Sequence, residues 1–189
     1  MRVIGGAAKG RRLRRGGGRR VRPTLGRARQ TLFDILAPRL AGCRFLDLYA
    51  GTGSVGIEAL SRGAAEAVLV EVEGKAAEAI AQNLERCGLQ ARGRVIRGKA
   101  RAALRRLAAR GEEFDIVFLD PPYQEPEEAR AALAELGKPG SAVAEGGVVV
   151  VQHRSKEALP QEAGRLRGYD ARRFGDTALS FYGEEEASP

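Results

Sequence analysis

The chain has 189 residues, of which 43% are hydrophobic and 30% charged, with two cysteines, one histidine and a net charge of +8. This length fits one α/β domain with a small appendage, and the chain contains neither an apolar run of the roughly 18–20 residues that span a membrane nor a secretory signal. So few cysteines and histidines argue against a disulfide framework, a metal site or a Ser-His-Asp triad, and they predict a cytoplasmic protein with reduced thiols.

The positive charge is concentrated at the N-terminus. Residues 1–30 hold eleven basic side chains and no acid, which leaves 21 basic against 24 acidic residues in the remainder. A block of like charge this dense favours a polyanion partner, because such side chains neutralise phosphates. We therefore predict that the arm binds RNA through Arg11, Arg12, Arg14, Arg15, Arg19, Arg20, Arg22 and Arg27.

The first residues predict a small unit ahead of the main domain. Apolar Val3, Ile4 and Leu13 separated by glycines favour a short hairpin over residues 1–15. Three glycines at 16–18 follow as a flexible joint, and a helix begins near Thr24. We divide the chain into a basic arm at 1–23, a main domain at 24–184 and an acidic tail at 185–189.

From residue 43 onward the pattern alternates between strand and helix. The predicted strands are Arg44–Leu48, Ala67–Glu71, Arg94–Arg97, Phe114–Leu119 and Gly147–Gln152, and the helices between them are Val55–Arg62, Lys75–Cys87, Arg101–Arg110 and Glu127–Leu136. Such alternation predicts an α/β fold with a mostly parallel sheet covered on both faces. Two final segments, Arg165–Phe174 and Thr177–Gly183, predict an antiparallel hairpin that closes the sheet.

A glycine-rich loop follows the first predicted strand. Gly51, Gly53 and Gly56 have the spacing G-x-G-x-x-G between a strand and a helix, a pattern that dehydrogenases and methyltransferases share. Glu71, at the end of the second strand, can accept hydrogen bonds from both ribose hydroxyls of an adenosine. Asp47 would attract the sulfonium and ammonium of S-adenosylmethionine but repel a pyrophosphate. The predicted cofactor is therefore S-adenosylmethionine, with S-adenosylhomocysteine as product, bound by Asp47, Ala50, Gly51, Gly53, Gly56 and Glu71.

The predicted catalytic residues are Asp120, Pro121, Pro122 and Tyr123, which follow the fourth strand. Ligands bind at the carboxyl ends of parallel strands, so this tetrapeptide should lie beside the cofactor. The Asp120 carboxylate and the Pro121 carbonyl can hold the two N–H bonds of an exocyclic amine, so that its lone pair faces the methyl group. Prolines stiffen the loop, Tyr123 can stack on the base, and Asp120 can take the released proton; no metal is needed.

These motifs resemble the bacterial 16S rRNA guanine-N2 methyltransferase family (RsmD-like). The resemblance extends over nearly the whole chain, from Arg2–Gly6, Lys9–Arg11, Arg22–Thr24 and Leu32–Leu36 through Asp47–Gly63 and Phe114–Tyr123 to Asp176–Tyr182. It implies a Rossmann-like class I methyltransferase that methylates N2 of one guanine in small-subunit rRNA, within the ribosome or an assembly intermediate. We expect a monomer.

Two departures from the family pattern concern the cofactor site. Lys99 stands where the family has Asp or Asn, whose side chain contacts the adenine amino group; lysine has only donors, so the Ala100 backbone is the predicted replacement. The family's acids around the first helix are replaced here by Gly26 and Gln30. Thr24 and Arg27 still match, and the resemblance implies that they meet the cofactor or the target base; Thr24 is assigned to the predicted cofactor site.

Alternatives remain open at this stage. A DNA amino-methyltransferase uses the same Asp-Pro-Pro-Tyr chemistry, although it usually needs a larger target-recognition domain. A non-catalytic rRNA-binding or assembly protein could have lost its cofactor site at Lys99. A second basic stretch at residues 86–110 is either a solvated helix face or a further RNA contact, and His153 is predicted to be structural.

Overall fold

The computed structural model describes residues 1–14, 24–123 and 125–184. Its five helices are α1 (Thr24–Leu40), α2 (Ser54–Ser61), α3 (Gly74–Cys87), α4 (Ala100–Ala109) and α5 (Pro126–Leu136). The strands are β1 (Arg44–Asp47), β2 (Glu66–Glu71), β3 (Gly93–Arg97), β4 (Phe114–Leu119), β5 (Val143–Arg154), β6 (Glu162–Ala163), β7 (Leu166–Phe174) and β8 (Thr177–Gly183). None of the helices in the described residues is long and apolar enough to cross a membrane.

All eight strands form one sheet in the order β3-β2-β1-β4-β5-β8-β7-β6. Strands β1 to β5 are parallel, and β6, β7 and β8 are antiparallel additions at one edge. The sheet confirms the α/β class and the closing C-terminal hairpin. The chain order reverses between β1 and β4, and that switch point opens the crevice in which ligands bind in such sheets.

The sheet is covered on both faces, as its apolar strands require. Neighbouring residues on a strand point to opposite faces, so Phe45 packs with α1, α2 and α3 while Leu46 packs with α4 and α5. On α3, the buried Ala76, Ile80 and Leu84 recur at helical spacing. The helix ends where Gly88 adopts a left-handed conformation with φ 70°.

The first residues fold back onto α2. Arg2 and Arg12 form a single antiparallel bridge, consistent with the predicted hairpin, and Val3 and Leu13 are buried against the main domain. The fully buried carboxylate of Glu58 accepts the backbone amides of Ile4 and Gly5, both at 2.7 Å. These bonds fix the beginning of the predicted arm to the main domain.

Several element boundaries differ from the prediction. Strand β5 begins four residues before the predicted Gly147, because the chain pairs at Val143 and then shifts register. Strand β6 was not predicted, since its two residues are too few to show periodicity. Cys43 is buried and Cys87 half-buried, and neither is paired in a disulfide among the described residues. The glycine joint at 16–18 and the acidic tail lie outside the described residues, and the division into arm, domain and tail stays a prediction.

Candidate active site

Three carboxylates meet at the carboxyl ends of three adjacent strands. Asp47 ends β1 and pairs in register with Leu69 on β2 and with Phe118 on β4. Two residues beyond those partners are Glu71 and Asp120. The topology therefore brings together the glycine loop, Glu71 and the Asp-Pro-Pro-Tyr loop, which are far apart in sequence.

The glycine loop is a tight turn built against the sheet. The Gly53 amide donates to the Ala50 carbonyl at 2.7 Å, and the left-handed φ of 73° at Gly53 suits a residue without Cβ. The Ala50 amide donates to the Val70 carbonyl at 2.9 Å, which holds the loop beside β2. A Cβ on Gly56 would lie 2.7 Å from a methyl of Leu69, so glycine allows α2 to pack directly on the sheet.

Glu71 shapes this loop as well as facing it. Its Oε2 accepts the Gly51 amide at 2.8 Å, and its Oε1 accepts the Glu73 amide at 2.9 Å. The side chain is half-buried. Since each carboxylate oxygen can accept more than one hydrogen bond, Glu71 retains capacity for the two hydroxyls of a ribose.

Asp47 has the more unusual environment. It is almost completely buried; Oδ2 accepts the Gly56 amide at 3.2 Å, and Oδ1 has no hydrogen-bond partner among the described residues. Burial raises the Asp47 pKa to about 7, the carboxylates of Asp120 and Glu71 contribute to the rise, and the amides of Gly56 and Tyr49 oppose it. A buried carboxylate with one unbonded oxygen, next to two further acids, suits a cationic ligand and disfavours a pyrophosphate.

The tetrapeptide after β4 is held by the C-terminal hairpin. Pro121 is buried and Asp120 is half-buried. The Tyr123 hydroxyl shares a hydrogen bond of 3.2 Å with the Thr177 hydroxyl, and the Arg154 guanidinium lies 5.4 Å from the centre of the Tyr123 ring. Beside this loop is a shallow surface depression, which Pro121, Pro122 and Tyr123 line together with Gln152 and His153.

His153 has a structural environment, as predicted. One ring nitrogen lies 2.8 Å from the Arg154 carbonyl and the other 2.8 Å from the Ser180 hydroxyl. The carbonyl can only accept, so we assign Nδ1 as the donor and Nε2 as the acceptor. Burial lowers the His153 pKa, which favours this neutral form.

Two further predicted cofactor residues, Ala100 and Thr24, are the first residues of α4 and α1. Lys99 lies exposed at the N-terminal boundary of α4, and Ala100 is buried behind it. The Gly98 amide donates to the Glu71 carbonyl at 2.9 Å, so this turn adjoins the ribose-binding candidate. Thr24 is described only by its backbone, as the first residue of α1, and its role stays a prediction.

The two basic stretches differ in their surroundings. Arg11, Arg12, Arg14 and Arg27 are exposed, whereas Arg15, Arg19, Arg20 and Arg22 lie outside the described residues. Within residues 86–110, several arginines have partners in the protein: Arg94 contacts Glu112 and Glu66, Arg101 contacts Glu128, and Arg92 donates to backbone carbonyls. Those contacts favour a structural role for part of the second stretch.

Three supporting residues escaped the sequence analysis. Asn83 contacts both the arm and the glycine loop, Thr177 contacts Tyr123, and Glu128 accepts the Tyr49 hydroxyl at 3.0 Å. Polar residues on helices and turns give no signal of such contacts, because their partners are distant in the sequence.

The fold and the arrangement of acids and glycines at the switch point are those of the class I methyltransferase fold. A family model described as conserved hypothetical protein 95 matches residues 1–183. The chain belongs to this family, which confirms its resemblance to the RsmD-like methyltransferases.

Individual relatives agree with this assignment. "Putative rRNA methyltransferase YlbH" of Bacillus subtilis is 36% identical over 182 residues, which are 96% of this chain and 98% of that protein. "Ribosomal RNA small subunit methyltransferase D" of Escherichia coli K12 is 40% identical over 125 residues, 66% of this chain and 61% of that protein. Among solved structures, "Putative methyltransferase yhhF from Escherichia coli" has a TM-score of 0.86 at 29% identity, with 100% of this chain and 99% of that chain covered.

Proposed function

We propose that this protein transfers a methyl group from S-adenosylmethionine to the exocyclic N2 of a guanine in 16S rRNA. The observation that carries the proposal is the placement of Asp47, Glu71 and Asp120 at the ends of adjacent strands, with the glycine loop between them. The names of the relatives from B. subtilis and E. coli support rRNA as the substrate class. Guanine N2 as the acceptor rests on the family resemblance.

The described residues fit the proposed cofactor. Asp47 offers an unpartnered buried acceptor to an ammonium group, and Glu71 has acceptor capacity for ribose hydroxyls. The exposed Lys99 has no acceptor for an adenine amino group, so we assign that contact to the backbone near Ala100. When bound, S-adenosylmethionine supplies a methyl group whose bond to sulfur breaks as the bond to N2 forms, leaving S-adenosylhomocysteine.

The Asp-Pro-Pro-Tyr loop would hold the acceptor amine. The N2 amine is a weak nucleophile because its lone pair is delocalised into the guanine ring. By accepting one N–H each, the Asp120 carboxylate and the Pro121 carbonyl favour a pyramidal nitrogen with a localised lone pair. Asp120 then takes the proton that N2 loses. Two successive prolines reduce the reorganisation that this alignment would otherwise require.

Tyr123 is already fixed in the free protein. Its bond to Thr177 and its contact with Arg154 restrict the ring before any base arrives. A base that stacks on the ring would therefore lose less conformational freedom than it would against a mobile side chain. The exposed arginines of the arm supply charge for the RNA backbone, and a small ribosomal subunit or assembly intermediate is the proposed macromolecular partner.

The proposal is tested by nucleoside mass spectrometry. The protein is incubated with S-adenosylmethionine and either unmethylated small subunits or naked 16S rRNA, and Asp120→Asn serves as the inactive comparison. Glu113→Gln is the matched control, because Glu113 is an exposed acid just before β4, at the opposite end of that strand. We expect N2-methylguanosine with wild-type protein and with Glu113→Gln, but not with Asp120→Asn.

Other products would identify the alternatives. Methylated adenine or cytosine in place of N2-methylguanosine would contradict the proposed acceptor. The absence of any methylated base, from folded protein that binds rRNA, would support the non-catalytic binding protein and direct attention to Lys99.

A further inference from the structure

Asn83 lies between the two parts of the proposed machinery and belongs to neither. It is on α3, its side chain is fully buried, and its amide contacts both the N-terminal arm and the glycine loop. The Oδ1 atom accepts the Arg14 amide at 2.7 Å, and Nδ2 donates to the Arg14 carbonyl at 2.9 Å. The same Nδ2 donates to the Thr52 carbonyl at 3.2 Å.

The two bonds to Arg14 fix the backbone at the base of the arm. An amide side chain that pairs with both the N–H and the C=O of one residue imitates the pairing of a neighbouring strand. Arg14 is exposed, as are the nearby Arg11 and Arg12, and all three are predicted to bind RNA. RNA bound to these side chains would therefore act on the backbone that Asn83 holds.

The third bond reaches the cofactor loop. Thr52 lies between Gly51 and Gly53, and its hydroxyl also lies 3.8 Å from the sulfur of Met1. The loop thus contacts the arm directly through the Met1 side chain and indirectly through the Asn83 amide of α3. A movement of Met1 or Arg14 would therefore alter the contacts that hold the glycine loop, which is proposed to face the cofactor.

Only an amide satisfies all three backbone groups at this position. Aspartate keeps the acceptor for the Arg14 amide but loses both donors, and it would place a buried charge against two carbonyls. Leucine of similar size would leave all three groups without this partner. The chemistry of the site therefore requires asparagine for a linking role and not only for filling space.

We propose that Asn83 is a positioning residue that couples the arm to the glycine loop, so that RNA binding and cofactor binding strengthen each other. The proposal rests on the proposed function only in taking rRNA as the polyanion that the arm binds. Coupling between two binding sites is reciprocal. Therefore rRNA should tighten cofactor binding, and the cofactor should tighten rRNA binding by the same factor.

The test is the affinity for S-adenosylhomocysteine, measured by calorimetry with and without saturating 16S rRNA transcript. For wild-type protein we expect rRNA to tighten this binding about fivefold or more. Asn83→Asp should bring the ratio close to one. Gln82→Glu is the matched control, because it makes the same amide-to-acid change on an exposed neighbouring residue of α3 and should keep the wild-type ratio.

A second measurement uses the wild-type protein alone, in case Asn83→Asp does not fold. We expect S-adenosylhomocysteine without RNA to slow hydrogen exchange of the Arg14 amide, which is bonded to Asn83 and lies outside the proposed cofactor site. An equal ratio in wild type and Asn83→Asp, a wild-type ratio of one, or unchanged Arg14 exchange would overturn the coupling. Coupling without N2-methylguanosine would refute the proposed function alone, and methylation without coupling would refute this inference alone.

Discussion

The carboxylate of Asp47 is bonded through one oxygen to the amide of Gly56 at 3.2 Å, while its other oxygen has no partner among the described residues. A buried acceptor in this state costs stability in the protein without ligand. The same acceptor is available to a cationic group of the cofactor. Asp47 therefore connects the proposed binding function with the stability of the fold, and pH should reveal both effects.

We expect cofactor affinity to rise with pH through the region of the Asp47 pKa. The pKa of about 7 means that a cationic ligand must displace a proton from this group at lower pH. Affinity for S-adenosylhomocysteine should increase between about pH 6 and 8 and then level off. Asp47→Asn should weaken binding at pH 8 by roughly 10–100-fold, the value of a charge-assisted hydrogen bond, and remove this pH dependence. Calorimetry over this pH range, in buffers of different ionisation enthalpy, measures both the affinity and the proton release.

The stability of the protein without ligand should change with pH in the opposite sense. The native pKa of Asp47 is raised from 3.8 to about 7. Native protein therefore binds more protons than unfolded protein between these values, and this group's contribution to stability falls as pH rises from about 4 to 7. Asp47→Asn should accordingly be more stable than wild type at pH 8, by roughly 1–3 kcal/mol, in urea titrations. Equal stability of the two proteins at pH 8 would contradict the assigned burial cost.

Replacement of Asp120 should separate chemistry from binding. Asp120→Asn keeps one acceptor for the amine but cannot take its proton, so the single-turnover rate should fall on the order of 10²–10⁴-fold. Binding of rRNA should be unchanged, because the arm supplies the contacts to phosphate. Quench-flow methylation assays and filter binding measure these two quantities. A variant with a near-normal rate would show that another group accepts the proton.

Variants of Tyr123 should separate the contribution of the ring to kcat/KM from that of the hydroxyl. Tyr123→Phe loses the bond to Thr177 and keeps the ring, so kcat/KM should fall by a few-fold, within the net value of one hydrogen bond. Tyr123→Ala loses the stacking surface and should reduce kcat/KM by roughly 10–100-fold. Thr177→Val removes the same hydrogen bond from the other side and should match Tyr123→Phe. A larger loss in Thr177→Val would indicate that the hairpin, and not the hydroxyl bond, positions the loop.

The sequence indicated where the candidate site residues lie better than it indicated which residues support them. Asp47, Glu71 and Asp120 were predictable because each follows an apolar strand, and parallel strands end at one edge. Glu58 was not, because a helical acid normally faces solvent, whereas here it accepts amides from residues that lie 53 and 54 positions earlier. Its partners are backbone amides, which nearly every residue carries, so no pattern of side chains in the sequence reveals them. Asn83 escaped notice for the same physical reason.

Two glycines in the first residues provide a matched test of how the arm is attached. A Cβ on Gly6 would lie 1.8 Å from the Ser61 carbonyl oxygen, whereas a Cβ on Gly10 would meet nothing within 4 Å. Both have positive φ, 73° and 83°, so alanine should cost about 1–2 kcal/mol at either site from backbone strain alone. Gly6→Ala should cost roughly a further 1–3 kcal/mol through overpacking. Urea unfolding measures the difference, and equal losses would mean that the segment does not dock on α2.

Salt dependence should decide which basic surface binds the rRNA. The triple variant Arg11→Gln, Arg12→Gln, Arg14→Gln removes exposed charge from the arm and retains the backbone bonds between Arg14 and Asn83. The triple variant Arg105→Gln, Arg106→Gln, Arg110→Gln removes the same charge from the exposed surface of α4 and the residue that follows it. Because both variants lose the same net charge, any difference in rRNA binding between them reflects where the charges were removed.

We expect rRNA affinity to depend less steeply on salt in the arm variant than in wild-type protein. Each phosphate contact contributes a slope of about 0.7–0.9 in a plot of log affinity against log salt, so the loss of three contacts should lower the slope by roughly two units. The α4 variant should keep the wild-type slope, because the proposed phosphate contacts lie on the arm. Fluorescence anisotropy with a 16S rRNA fragment at several salt concentrations measures the slopes. A reduced slope in the α4 variant alone would assign RNA binding to that helix and leave the arm with a structural role.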